Sequence, residues 1–255
     1  MSDTVLKTEK LTKDFGGLRA VNELDMEIKK GEIHALIGPN GSGKSTTLNL
    51  LSGIYLPTEG DICFKDEKIN TLPVFQRTEL GIGRTFQNIR LFDTLTVFDN
   101  ILVGRHTKLS TNFFQQIMKT KALREEEEEN REKILGLCKT VGLLGREHLL
   151  ANGLPYGDRR MLEIARALAG NPSLLLLDEP FAGMSPTDAD RLVEIIQEIG
   201  NAGTTILLVE HHMRVVMKLS HNISVLNFGV KIAGGTPEEI KNNQNVIEAY
   251  LGKEG

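Results

Sequence analysis

The chain has 255 residues, 40% of them hydrophobic and 25% charged, a balance that supports a buried core and excludes a disordered polymer. A formal net charge of -4 leaves no global basic field to hold nucleic acid by counterion release, so no nucleic-acid partner is expected. Its longest apolar runs, such as Leu174 to Leu177 and Ile206 to Val209, fall far below the roughly 20 residues that span a bilayer.

Met1 to Lys10 carries acidic residues and lacks the apolar centre of a secretory signal, so a cytoplasmic location is expected. Next, Val5, Leu6, Leu11, Val21, Leu24, Met26 and Ile28 recur with the alternation of strands, broken by Gly16-Gly17 and Gly31. Ile33 to Ile37 reads as an apolar strand that enters a glycine-rich turn, Gly38 to Gly43, and then a helix through Leu51. From Phe92 to about Arg166 the pattern turns helical, with Val97, Ile101 and Leu102 on one face. The run Glu125 to Glu129 is expected to be a solvated helix face or a mobile insertion. Leu174 to Leu177 and Ile206 to Val209 then read as parallel strands covered on both sides, with a helix over Thr187 to Ile199 between them. The class is α/β with a helical insertion, which reads as a subdomain specialised for a partner. Cys63 and Cys138 lack metal-ligand spacing and are expected to be buried, inert thiols.

Gly38-Pro39-Asn40-Gly41-Ser42-Gly43-Lys44-Ser45 fits G-x-x-x-x-G-K-[ST] between a strand and a helix. Glycines let backbone N–H groups turn inward around phosphates, and the helix that follows aims its N-terminal dipole at the same anion. Lys44 is expected to reach the β and γ phosphates, and Ser45 to set its hydroxyl on Mg²⁺. Leu174 to Leu177 ends in Asp178 and Glu179, which puts Asp178 at the sheet edge for the metal and Glu179 one step out, to orient or deprotonate water. These two motifs alone are equally compatible with GTPases, helicases and small kinases.

The residues between them narrow the choice. Leu154-Pro155-Tyr156-Gly157-Asp158-Arg159-Arg160 resembles the signature of the ABC ATPases, L-S-x-G-Q followed by basic residues. Phe86-Gln87 is similar to that family's Q-loop, His211 to its switch histidine, and Phe15 to the aromatic residue that stacks on adenine. More narrowly, Phe86 to Phe92, Arg160 to Leu168, Gly235 to Ile240 and Tyr250 to Gly252 resemble the ATPase of branched-chain amino acid importers.

The resemblance implies a P-loop NTPase fold of ABC type: a mixed-sheet core, an antiparallel β subdomain and an inserted helical subdomain. One nucleotide-binding domain would fill 1–255, with the core and β subdomain in 1–91 and 167–255 and the signature helices in 92–166. It implies ATP hydrolysis coupled to transport. The catalytic residues would be Lys44, Gln87, Glu179 and His211. Phe15, Gly38 through Thr46, Tyr156 and Gly157 would hold ATP, and Ser45, Gln87 and Asp178 would hold Mg²⁺. Implied partners are transmembrane permease subunits, a second ABC ATPase subunit and, indirectly, an extracytoplasmic substrate-binding protein, with the chain peripheral on the inner face of the cell membrane. A lipopolysaccharide-type exporter ATPase, working as a homodimer, and a soluble non-transport ABC ATPase are the alternatives.

Three positions depart from the family pattern. Pro155 replaces the signature serine and offers neither hydroxyl nor N–H. Asp158 is expected to compete with phosphate at the helix N-terminus. Ser185 replaces an aspartate, which is expected to weaken crosstalk and leave unequal sites in a heterodimer. His34, His106, His148, His212 and His221 have no apparent constellation and are expected to be structural.

Overall fold

The computed structural model describes residues 3–106 and 121–251. β1 (Thr4–Phe15) returns as β2 (Leu18–Lys29) in an antiparallel hairpin. β3 (Ile33–Ile37), buried throughout, feeds the glycine turn and α1 (Lys44–Leu51). β4 (Glu59–Phe64) and β5 (Glu67–Lys68) complete an antiparallel sheet of order β2-β1-β4-β5. α2 (Val74–Leu80) then leads to the short strand β6 (Ile82–Arg84). α3 (Val97–Gly104), α4 (Lys121–Thr140) and α5 (Tyr156–Leu168) make up the helical segment. β7 (Leu174–Asp178), α6 (Pro186–Asn201), β8 (Thr205–Val209) and α7 (Met213–Leu219) follow. β9 (Asn222–Asn227), β10 (Val230–Gly235), α8 (Pro237–Lys241) and α9 (Gln244–Leu251) finish the described chain.

The second sheet has the order β10-β9-β3-β8-β7-β6. It is parallel from β9 to β6 and antiparallel only at the β10 edge, so the mixed sheet is as expected. Leu174 to Leu177 in β7 and Ile206 to Val209 in β8 are unbroken apolar runs because alternate side chains enter different cores. Leu174 and Leu176 pack with Leu36, Leu48 and the antiparallel sheet, whereas Leu175 and Leu177 pack with Ile101, Met161 and Ile196. Leu176 is fully buried. Its truncation to alanine is expected to cost about 2–5 kcal/mol, because the cavity cannot collapse between two layers. Urea unfolding reads this directly, and a loss below about 1 kcal/mol would contradict the two-sided packing.

The helical segment is tied to the sheet rather than separately cored. Val97, Ile101, Ile134, Cys138, Met161 and Ile164 share one apolar cluster with Leu175, Leu177 and the inner face of α6. The expected boundary at Arg166 falls inside α5, which ends at Leu168. Glu127, Glu128 and Glu129 are exposed on α4, as a solvated face requires. Cys138 is buried, and burial pushes its thiol up to about 11. Cys63 departs from expectation by being only half-buried, on β4 between Lys7 and Lys68 of the neighbouring strands. Among the described residues no helix is long and apolar enough to cross a membrane.

Candidate functional site

The glycine turn is shaped by what surrounds it. Gly43 precedes α1 at φ 103°, a left-handed conformation that side chains disfavour, and a Cβ there would strike the carbonyl of Ala20. A Cβ on Gly38 would meet the Leu226 carbonyl and the Ser42 hydroxyl. The Gly229 N–H donates to Ser42 O at 3.0 Å, so the β9–β10 turn braces the loop from behind. Ser42 Oγ is buried without a hydrogen-bond partner, an orphan that the phosphate oxygens of a bound nucleotide would satisfy.

Lys44 is buried, and its Nζ donates to the carbonyls of Gly38 at 2.8 Å and Pro39 at 3.0 Å. Burial draws its ammonium below the usual lysine range, while the charges of Glu179 and Asp178 push it back up. The loop opens onto a cleft of about 520 Å³ bordered by Asn40 through Thr46, Phe15, Gln87 and Glu179. Gly38 lies buried and Pro39 half-buried beneath it. Phe15 is 41% exposed and held edge-on against Tyr55 at 5.2 Å.

At the end of β7, Asp178 is buried, with Arg84 Nη2 3.1 Å from its Oδ2. Burial pushes its carboxyl above the usual range and Arg84 opposes that shift. Glu179 follows at φ 45°, a conformation that costs a side-chain-bearing residue on the order of 1–3 kcal/mol and that clusters at working sites. Its Oε2 accepts from Gln87 Nε2 at 2.9 Å, and its Oε1 lies 3.9 Å from His211 Nδ1. His211 adjoins the cleft through Glu179, and Asp178 precedes Glu179 in the chain; neither borders the cleft itself.

Tyr156 and Gly157 are not brought to this cleft. They open α5, whose N-cap Pro155 makes no side-chain cap bond. Tyr156 Oη donates to Ala182 O at 2.9 Å, and Gly157 is pressed against the Asp188 carboxylate. One turn on, fully buried Arg160 donates to the carbonyls of Phe86 and Gln87, each at 2.8 Å. Glu163 pairs with Arg160 at 2.7 Å and accepts from Arg90 N at 3.2 Å and Phe86 N at 3.4 Å.

Residues 21–182 match the family described as ABC transporter. The chain belongs to the ABC transporter family. It is an ATP-hydrolysing, nucleotide-binding subunit of the kind that works with transmembrane permease components. Residues 230–255 also match a family described as branched-chain amino acid ATP-binding cassette transporter.

The chain is 45% identical over 254 residues, 99% of its length and 100% of the relative's, to the high-affinity branched-chain amino acid transport ATP-binding protein LivG of Salmonella typhimurium. It is 32% identical, over 98% of both chains, to the lipopolysaccharide export system ATP-binding protein LptB of Haemophilus influenzae. Among solved structures, the ADP conformation of an ATP-binding cassette of an ABC transporter superposes with a TM-score of 0.85 at 31% identity, covering 99% of this chain and 100% of that one. A dimeric cassette bound to ADP and phosphate in a post-hydrolysis state gives a TM-score of 0.77 at 26% identity, covering 91% of this chain and 98% of that one.

Within this ABC ATPase, two sequence expectations are corrected. Asp158 is buried and paired with Arg146 and with Arg191 Nη1 at 3.0 Å, so its charge is compensated inside the chain instead of facing a phosphate. His212 does have a constellation: its Nδ1 lies 3.0 Å from Glu210, and Glu210, His211 and His212 bring ligand-type atoms within 4.8 Å of one another. Ser185 caps α6, accepting from Asp188 N at 3.2 Å and donating to Asp188 Oδ2 at 2.7 Å.

Several site residues were missed from sequence. Phe228 is 85% exposed at φ 46° in the β9–β10 turn and borders the cleft. An aromatic residue in an otherwise polar Asn-Phe-Gly turn was the available signal. Arg84, Arg160, Glu163 and Glu210 carry no local signal, since each also has a partner distant in the chain, at Asp178, Phe86, Arg90 and Phe181 respectively.

Proposed function

We propose that this subunit powers import of branched-chain amino acids, closing on ATP with a second ATPase subunit at the inner face of the cell membrane. The observation that carries the reading is the full-length 45% likeness to LivG, reinforced by the match over 230–255, beyond the segment shared with ABC transporters at large. The exporter alternative has the weaker support of 32% identity.

In this reading the backbone from Gly38 to Thr46 wraps the phosphates, Phe15 stacks on adenine, and Lys44 trades the carbonyls of Gly38 and Pro39 for the β and γ phosphates. Ser45, Gln87 and Asp178 form an all-oxygen donor set that suits Mg²⁺. When bound, Mg²⁺ neutralises charge on the phosphates. Glu179 takes the proton of the attacking water, and His211 keeps Glu179 aligned from 3.9 Å. Tyr156 and Gly157 serve the nucleotide of the other subunit, where the α5 dipole faces the γ-phosphate.

A groove of about 470 Å³, lined by Val74, Phe86, Phe92, Val103 and Arg166 among others, lies between the sheet and the helical segment beside Gln87. It is the expected seat of the permease. Affinity purification from native membranes is expected to bring down an amino acid permease and a second ATPase, with leucine uptake on reconstitution. Recovery of lipopolysaccharide-export components with a homodimer instead would sink the importer assignment.

A further inference from the structure

Glu210 directly follows β8 with a side chain that is fully buried, which is unusual for a carboxylate. It is held there by N–H donors from two separate loops. Oε2 accepts from His211 N at 2.7 Å and His212 N at 2.9 Å, and lies 3.0 Å from His212 Nδ1 and 3.7 Å from His211 Nδ1. Oε1 accepts from Phe181 N at 3.4 Å, in the loop that leaves Glu179. The loop after β7 meets the end of β8 again where Glu179 N donates to Val209 O at 2.9 Å. His211 Nδ1 therefore stands between the Glu179 and Glu210 carboxylates, at 3.9 and 3.7 Å.

We propose that Glu210 is a positioning residue for hydrolysis, whose two carboxylate oxygens clamp the His211 loop to the Glu179 loop and so fix the distance between histidine and general base. The proposal rests on the roles of His211 and Glu179 given above. A carboxylate suits this place because it accepts on both oxygens and donates on neither. An amide of the same shape has one acceptor oxygen and one NH₂ group, so it must turn a donor toward the N–H of one loop or the other. Glu210→Gln therefore cuts the clamp without changing packing volume.

The test is a double-mutant cycle on the full chain, with kcat, KM for ATP and melting temperature measured for Glu210→Gln, His211→Ala and the pair. Glu210→Gln is expected to lower kcat roughly 10- to 100-fold, the worth of a charge-assisted hydrogen bond written as a rate, with KM within about twofold. On the His211→Ala background it is expected to cost less than about threefold more, because the element it positions is already gone. Losses that multiply, a parental kcat, or a rise in KM alone would overturn the proposal. Should Glu210→Gln not fold, Glu210→Asp replaces it in the same cycle. One methylene shorter, Asp cannot reach both loops, so a loss absorbed by His211→Ala supports the clamp, and no loss or a multiplying one refutes it. Parental turnover in His211→Ala itself would strike the role assigned to the histidine, a failure distinguishable from that of Glu210.

Discussion

Glu179→Gln is expected to bind ATP with parental affinity and to lose turnover by about 10²–10⁴-fold, the usual worth of a positioned general base. The carboxylate borders the cleft at the end of a buried strand, with Gln87 on one oxygen at 2.9 Å and His211 beside the other at 3.9 Å. Its backbone is held at φ 45°, a strain tolerated because Val209 O and the packed strand behind it over-determine the turn. Glutamine fills the same space and cannot take a proton from water. Single-turnover hydrolysis alongside nucleotide titration separates the two effects. A variant that still hydrolyses at the parental rate would remove Glu179 from the role of base, and one that no longer binds ATP would mark it as a binding residue instead.

For Lys44→Ala the loss falls on binding, with nucleotide affinity expected to drop on the order of 10²-fold. Each charge-assisted hydrogen bond is worth about 1.5–3 kcal/mol, and every 1.4 kcal/mol is tenfold in affinity. The ammonium already sits inside the loop on the carbonyls of Gly38 and Pro39, so it needs only to exchange acceptors when phosphate arrives. Alanine leaves the loop backbone in place, held by the Gly229–Ser42 hydrogen bond and by the tight surroundings of Gly38 and Gly43. Melting temperature is thus expected to shift little while affinity collapses. Fluorescence titration with a nucleotide analogue measures this, and an unchanged dissociation constant would contradict the assignment of the loop.

What could be read from sequence were the features whose chemistry is local. The glycine spacing from Gly38 to Ser45, and the strand that ends in Asp178 and Glu179, carry strand, turn and helix signals within a dozen residues. The structure puts them at the same end of one parallel sheet, on β3 and β7 with β8 between them. Pairs made only by folding were invisible. Arg84 meets Asp178 across 94 positions, Arg160 meets Phe86 across 74, and Phe181 meets Glu210 across 29. Asp158 was misjudged for the same reason: the partner charges on Arg146 and Arg191 arrive from the turns before α5 and from α6, and neither lies next to it in the chain. The partner of the His212 ring, Glu210, lies only two residues away, but nothing local to it signals that it is a buried acceptor.

Arg160 holds the peptide carbonyls of Phe86 and Gln87 while standing one turn into the helix that starts at Tyr156. In the proposed dimer, the residue assigned to the chain's own ATP and the helix end assigned to its neighbour's ATP would thus be bolted to the same side chain. Under the proposed assignment, neither nucleotide can be registered privately: whatever pulls Gln87 inward also tilts the surface shown to the opposite subunit, and the pair fires as a unit.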